Sequence, residues 1–358
     1  MQRFGLLGLP NSGKSSLFNA LTGGDSPVAP YAFTTTGTHL GDAKVVDERL
    51  DRIARMSESA TTTAATVQFS DIGGLAAGAA VGEGLGNRFL GGIREVDAVV
   101  LVLRAFDSEE VEGVGDPVES LYTLELELSL ADLESLERQI DKKRRQAKGD
   151  TTAGAEVTRM ERAAATLAGG TPLWRSALPI AERELLGPCF LLTNKPVVAV
   201  VNVGEDLSPA DAEVAVGTVA AELGGAETLA VCAQLEAEVA QLPAEDRADM
   251  AESLDLGEGA LARLVSAASR ALGLHTFFTT APNETRAWPF PAGSTADVCA
   301  GLIHTDFRRG FIRAETIHWA ELLEIGSWSA ARAAGRMRAE GRSYVVQDGD
   351  VLEIRFNV

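Results

Sequence analysis

Gly8-Leu9-Pro10-Asn11-Ser12-Gly13-Lys14-Ser15 fills every fixed position of the phosphate-loop pattern G-x-x-x-x-G-K-S/T. Glycines let successive backbone N–H groups curl inward around phosphate oxygens, where a Cβ would obstruct the approach. A lysine in this pattern neutralises the β- and γ-phosphates, and the hydroxyl after it reaches a magnesium ion. Asn11, Ser12, Gly13, Lys14, Ser15 and Ser16 are therefore the expected phosphate contacts, with Lys14 catalytic and Ser15 a magnesium ligand. The flanks fit: Arg3 to Leu7 reads as a short apolar strand and Ser15 to Leu21 as a helix. The positive end of that helix would face the phosphates.

Other residues complete this chemistry at a distance in sequence. Asp71-Ile72-Gly73-Gly74 follows a strand ending at Phe69. An Asp there can hold magnesium through water, and Gly74 can bring its N–H to the γ-phosphate. In Ras-like GTPases a Gln follows this glycine and orients the attacking water; here it is Leu75, so another group must do so. Thr34, Thr35 and Thr36 lie in the loop after the first helix, and Thr35 is the expected switch threonine over magnesium. The catalytic set is thus Lys14, Thr35 and Gly74, and the metal set Ser15, Thr35 and Asp71. Asn11 stands where a side-chain amide can help to hold potassium.

Asn202-Val203-Gly204-Glu205 ends another strand, at the place where GTPases carry N-K-x-D. The Asp of that motif accepts two hydrogen bonds from guanine; Glu, one methylene longer, would crowd the same edge. Adenine lacks the two-donor edge, and Asn can pair with its N6 and N7. Cys232-Ala233-Gln234 stands where GTPases have a short base loop. Asn202, Val203, Glu205, Cys232, Ala233 and Gln234 form the expected base site.

Strands at Arg3–Leu7, Thr66–Phe69, Ala98–Leu103, Pro196–Val201 and Thr228–Val231, alternating with helical segments, predict a parallel α/β sheet. From Val118 to Gln146 the chain reads as one amphipathic helix, with Leu121, Leu124 and Leu128, then Leu126, Leu130, Leu133 and Ile140, at helical steps. A turn at Gly149–Thr152 and a returning helix over Glu156–Leu167 make this an insertion. After Thr276 short strands punctuated by proline suggest a small α+β domain, ending in a strand, an Asp348-Gly349 turn and a strand. A length of 358 residues suits two or three such domains.

Composition narrows the partners. A formal charge of −19 repels bulk nucleic acid, and no DNA partner is expected. Any RNA contact must be local, and Lys142-Lys143-Arg144-Arg145 with Lys148 is the densest basic run. Its alternative reading is a solvated helix end. Cys189, Cys232 and Cys299 show no metal-ligand spacing and read as buried thiols in a reducing compartment. No apolar run approaches the roughly 20 residues that span a bilayer, and no signal-peptide pattern opens the chain, so the expected location is the cytoplasm. His39 reads as a strand-start histidine, with approach to the site as the alternative; His304 and Asp306 read as structural.

Together these motifs resemble the YchF-type Obg-like ATPases. The likeness continues through Gly82–Leu90, through Ile303-His304-Thr305-Asp306-Phe307-Arg308-Arg309-Gly310-Phe311-Ile312-Arg313-Ala314-Glu315, and through Val345–Val358. The resemblance implies an α/β P-loop NTPase domain (1–117 and 196–276), an inserted α-helical hairpin (118–195) and a C-terminal α+β, β-grasp TGS domain (277–358). It also implies ATP preferred over GTP, magnesium, slow hydrolysis, a ribosomal or ribosomal RNA partner, and a monomer. The chain departs from the family in three places. The loop Phe106–Pro117 lacks the His that is proposed to replace the missing Gln. Ala77 and Val81 stand for two usual lysines. Thr36-Gly37-Thr38-His39 replaces a more apolar stretch. These bear on turnover more than on binding, and leave two other readings: an Obg-class GTPase, and a nucleotide-binding regulatory scaffold with negligible turnover.

Overall fold

The computed structural model describes residues 2–23, 39–72, 91–107, 115–146, 151–243, 246, 250 and 259–357. They form two compact units, Met1–Ala43 with Gln68–Ala268, and Lys44–Val67 with Ser269–Val358.

The first unit is built on a six-stranded sheet of order β2-β4-β1-β5-β6-β7. Its strands are β1 (Arg3–Leu7), β2 (His39–Lys44), β4 (Thr66–Asp71), β5 (Ala98–Ala105), β6 (Val197–Val203) and β7 (Thr228–Val231). From β4 through β1, β5 and β6 to β7 every pairing is parallel. β5 and β6 are near-continuous apolar runs, as a strand covered on both faces requires. Parallel order sends all five carboxyl ends to one edge, where the loops after β1, β4 and β6 meet. The strands expected from sequence are all present; β2 lacks a comparable apolar run and emerges only in the structure, with His39 as its first residue.

Helix α1 (Lys14–Thr22) follows the β1 loop, and α3 (Pro117–Gln146) is the long helix of the insertion. That helix belongs to two cores. Leu121, Leu124, Leu128 and Ala131 pack with Val99, Leu101 and Val201 of the sheet. Leu136 and Ile140 instead pack with Val157, Met160, Ala163 and Leu167 of α4 (Thr151–Ala168). The expected second stripe is corrected here, since Leu126 and Leu130 are 57% and 45% exposed. Their places on the inner side go to Glu125 and Asp132, whose carboxylates are hydrogen-bonded. The turn over 149–150 lies outside the described residues.

The second unit carries a sheet of order β11-β10-β12-β8-β9-β3. β8 (Leu274–Thr280) and β9 (Glu284–Pro291) form an antiparallel hairpin, followed by a helix over Ala296–Ile303. The last strand, β12 (Asp350–Phe356), lies between β10 (Phe311–His318), antiparallel, and β8, parallel. Hairpin, helix and a last strand inserted beside the first make a β-grasp. The terminal strand pair expected around Asp348-Gly349 is not formed. Val345 makes one isolated bridge to Thr295, while β12 pairs with β10.

Lys44–Val67 joins this unit, although the sequence division assigned it to the nucleotide domain. The reason is apolar burial: α2 (Glu48–Met56) puts Leu50 and Ile53 into a core with Phe278, Ile317 and Val351. β3 (Thr61–Thr63) then runs parallel to β9 and covers its edge.

Candidate active site

The loop from Gly8 to Lys14 leaves the carboxyl end of β1 and winds directly into α1. Its two outer glycines are required by contact. A Cβ on Gly8 would lie 2.4 Å from Ser12 Oγ and 2.5 Å from Val102 O. Gly13 is left-handed at φ 91°, and its Cβ would lie 2.0 Å from Asn202 Nδ2. Asn11 is also left-handed, at φ 59°, as asparagine tolerates.

Lys14 is 6% exposed. Its Nζ donates to the carbonyls of Gly8 (3.1 Å) and Leu9 (2.9 Å), so the ammonium lies across the loop it belongs to. Burial lowers its pKa to about 8, against the pull of the Asp71 charge. Ser15 Oγ donates to Asp71 Oδ2 at 2.8 Å, which brings together the two metal residues expected from the loop and from β4. Asp71 is fully buried as the last residue of β4, opposite Leu6. Among the described residues its Oδ1 has no hydrogen-bond partner, and neither has Ser12 Oγ. A buried orphan oxygen calls for a ligand. Hard oxygens from Ser15 and Asp71 beside a buried ammonium fit a magnesium–phosphate group. Thr35 and Gly74, with Leu75 and the neighbouring Thr34 and Thr36, lie outside the described residues.

At the carboxyl end of β6 the structure corrects the role expected for Asn202. Its Nδ2 donates to Ser12 O at 2.9 Å, and its Oδ1 accepts from Ala233 N at 3.0 Å. The 4%-exposed amide is thus a staple between the phosphate loop and the base loop, in place of a direct partner for adenine N6 and N7. Val203 ends β6 half-buried against the sheet core. Glu205 is exposed beyond it. Cys232 precedes the helix Ala233–Gln241; burial raises its thiol pKa, and the Glu205 and Glu236 charges add to that. Ala233 is buried, whereas Gln234 is exposed with its amide 3.3 Å from Glu238 Oε1.

Sequence reading missed Phe106, just past β5. A Cβ on Gly204 would lie 3.3 Å from Phe106 Cβ, so the ring borders the base loop. The Arg104 guanidinium lies 5.1 Å from the ring centroid, and its Nε donates to Phe106 O at 2.9 Å. An aromatic residue at the carboxyl end of a buried parallel strand was the available signal. His304 is structural, as expected: Nδ1 accepts from Asp306 N at 3.2 Å and caps a short turn of helix.

The basic run at the end of α3 is divided in use. Lys143 pairs with Glu156 and Arg144 with Glu161 (2.5 Å), both across the hairpin on α4. Lys142 and Arg145 are exposed, with no ion pair among the described residues.

Comparison with known proteins places this geometry. A family model described as a 50S ribosome-binding GTPase matches residues 3–142, from the phosphate loop into α3. A C-terminal YchF-GTPase model, described as a protein of unknown function, matches residues 274–357. The ribosome-binding ATPase YchF of Bacillus subtilis is 40% identical over 361 residues, 99% of each chain. This chain belongs to the YchF family. The YchF protein of Escherichia coli O157:H7 is 39% identical over 358 residues, and the Obg-like ATPase 1 of Oryza sativa subsp. japonica is 36% identical over 368 residues, 99% of this chain and 92% of that one. The solved YchF GTPase of Schizosaccharomyces pombe superposes with a TM-score of 0.84 at 29% identity, covering 99% of this chain and 97% of that one. As a YchF-family member the chain is a P-loop nucleotide hydrolase with an α/β nucleotide domain and a C-terminal α+β unit.

Proposed function

We propose that this protein is a magnesium-dependent ATP switch of the ribosome, preferring ATP to GTP and turning over slowly as a cytoplasmic monomer. The observation that carries it is the meeting of Ser15 and Asp71 at 2.8 Å beside buried Lys14. Ser15 and Asp71 would hold magnesium, directly and through water, and that ion would neutralise charge between the β- and γ-phosphates. Lys14 supplies the second positive charge, and the N–H groups of Asn11 to Ser16 orient the phosphates. Thr35 and Gly74 are proposed to close over the γ-phosphate, and Asn11 to favour potassium. Glu205 at the end of the base loop supports adenine over guanine, and the staple role of Asn202 leaves that choice to Val203, Glu205, Cys232, Gln234 and Phe106. The inserted hairpin (118–195) and the TGS domain (277–358) are the proposed ribosome-contacting parts.

Leu75, in place of a water-orienting Gln, supports a second reading, a binding scaffold with negligible turnover. Single-turnover hydrolysis of ATP and of GTP, with and without ribosomes, in sodium and in potassium chloride, tests both. ATP turnover above GTP turnover, raised by ribosomes, is expected. Equal affinity and turnover for the two nucleotides would remove the adenine preference, and no turnover under any condition would leave the scaffold.

A further inference from the structure

Residues 192–195 tie three parts of the first unit together. Asp132, on the inner side of α3, is 1% exposed. Its carboxylate accepts from Leu192 N (2.7 Å), Thr193 N (2.8 Å) and Thr193 Oγ1 (2.7 Å). Two residues further on, Lys195 Nζ donates to the carbonyls of Arg94 (3.2 Å) and Val96 (2.5 Å). Asn194, between them, exchanges side-chain hydrogen bonds with Arg183 of the insertion. Immediately after Lys195 the chain enters β6, the strand that ends in Asn202.

The carbonyls that Lys195 holds close a helical turn over 91–94. Carbonyls at a helix end lack intrahelical partners, and an ammonium there satisfies them and opposes the negative end of the dipole. Lys195 makes no ion pair among the described residues, so these two carbonyls are its partners. They matter because of what precedes them. Ile72, inside the Asp71–Gly74 motif, and Ile93 and Val96, after it, lie in one core cluster with Leu7. A Cβ on Gly5 would lie 2.8 Å from Ile72 Cδ1 and 3.1 Å from Val96 Cγ2. The chain that carries Gly74 is therefore anchored at both ends beside β1, and Lys195 fixes the second anchor.

We propose that Lys195 is a positioning residue for nucleotide hydrolysis, and that Asp132, through Thr193, makes the inserted hairpin the part that sets its position. A displacement of α3 moves Leu192 and Thr193 with it, then Lys195, then the 94–96 carbonyls that end the Gly74 segment. The γ-phosphate contact is altered without any residue of the hairpin touching nucleotide. This rests on the hydrolytic reading above and gives the hairpin its route to the site.

The test uses the full chain without ribosomes, as Lys195→Met, Asp132→Asn and the double variant. Three quantities are measured: single-turnover ATP hydrolysis, ATP dissociation constant by fluorescent-nucleotide titration, and amide exchange at 93–97. Lys195→Met is expected to lower the hydrolysis rate by about 10- to 100-fold, the scale of a small misplacement of reacting groups. The ATP dissociation constant should stay within about twofold, which separates positioning from general damage. Exchange at 93–97 should accelerate. Asp132→Asn should produce part of the same loss, and the double variant should be no slower than Lys195→Met, because the two act in one chain of contacts. Lys195→Arg, which keeps a cationic donor, should recover part of the rate. An unchanged rate in folded Lys195→Met overturns the proposal, as do additive losses or an ATP affinity that falls in parallel. Should the parent hydrolyse neither nucleotide, the functional reading fails; unaltered 93–97 exchange in Asp132→Asn would then overturn the coupling by itself.

Discussion

Asn202 joins two backbone groups from different loops of the nucleotide site, Ser12 O and Ala233 N. Replacing it by Ala leaves a buried carbonyl and a buried N–H unpaired, each costing about 1–3 kcal/mol. Asn202→Ala is therefore expected to lower the thermal midpoint by several degrees and to weaken ATP binding, both readable in one set of melts with and without nucleotide. A lowered midpoint with unchanged ATP affinity would show that the staple serves the fold alone. Lys14 behaves differently. Its ammonium is buried against carbonyls and its pKa is lowered to about 8, so the fold gains little from its charge. Lys14→Ala should abolish magnesium–ATP binding while the melting temperature without nucleotide stays level or rises. Normal ATP binding in that variant would sink the phosphate-site assignment.

At the scale of elements, the inserted hairpin closes with charge as well as with its apolar seam. Lys143 and Arg144 face Glu156 and Glu161, while Lys142 and Arg145 face solvent. Half-exposed bridges of this kind contribute little to stability, about 0–1 kcal/mol each. The two outward cations are the ones able to meet phosphates. Lys142→Glu with Arg145→Glu should weaken ribosome binding and flatten its salt dependence by about two units, close to one per lost phosphate contact. Lys143→Glu with Arg144→Glu should chiefly loosen the hairpin. Sedimentation with ribosomes across a salt series distinguishes the pairs, and equal losses in both would mean that the run acts as one patch.

At the scale of the whole molecule, charge is unevenly shared. Residues 269–358 contain ten arginines against ten carboxylates, so the entire −19 falls on residues 1–268. Within this neutral segment Glu315 lies among Arg355, Arg313 and Arg332 on adjacent strands and a packed helix. The hydrogen bond from Arg355 leads in holding its carboxyl down at about 2, with Arg313 and Arg332 adding. A depressed carboxylate pKa contributes stability that is complete above the ordinary Glu value and lost as pH falls through the folded one. The C-terminal unit should therefore lose stability between about pH 4.5 and 2, and Glu315→Gln should flatten that part of the acid-unfolding curve. An identical curve for the variant would assign the acid slope to other carboxylates.

The sequence by itself determined the chemistry and the frame: the phosphate loop, Asp71 at a strand end, the five parallel strands and the long inserted helix. Each is written in contiguous residues, where glycine conformation, lysine position and apolar runs act locally. Tertiary structure alone decided which distant groups meet. Asn202 bonds the phosphate loop across 190 positions, and Lys195 reaches the 94–96 carbonyls across about 100. Neither meeting has a local pattern, because a hydrogen bond fixes geometry without fixing sequence separation. The same holds for α2, whose Leu50 and Ile53 found their core beside Phe278 rather than in the sheet that precedes and follows them in sequence. Apolar burial is non-directional; an amphipathic face announces that it will be covered, and only the assembled fold says by what.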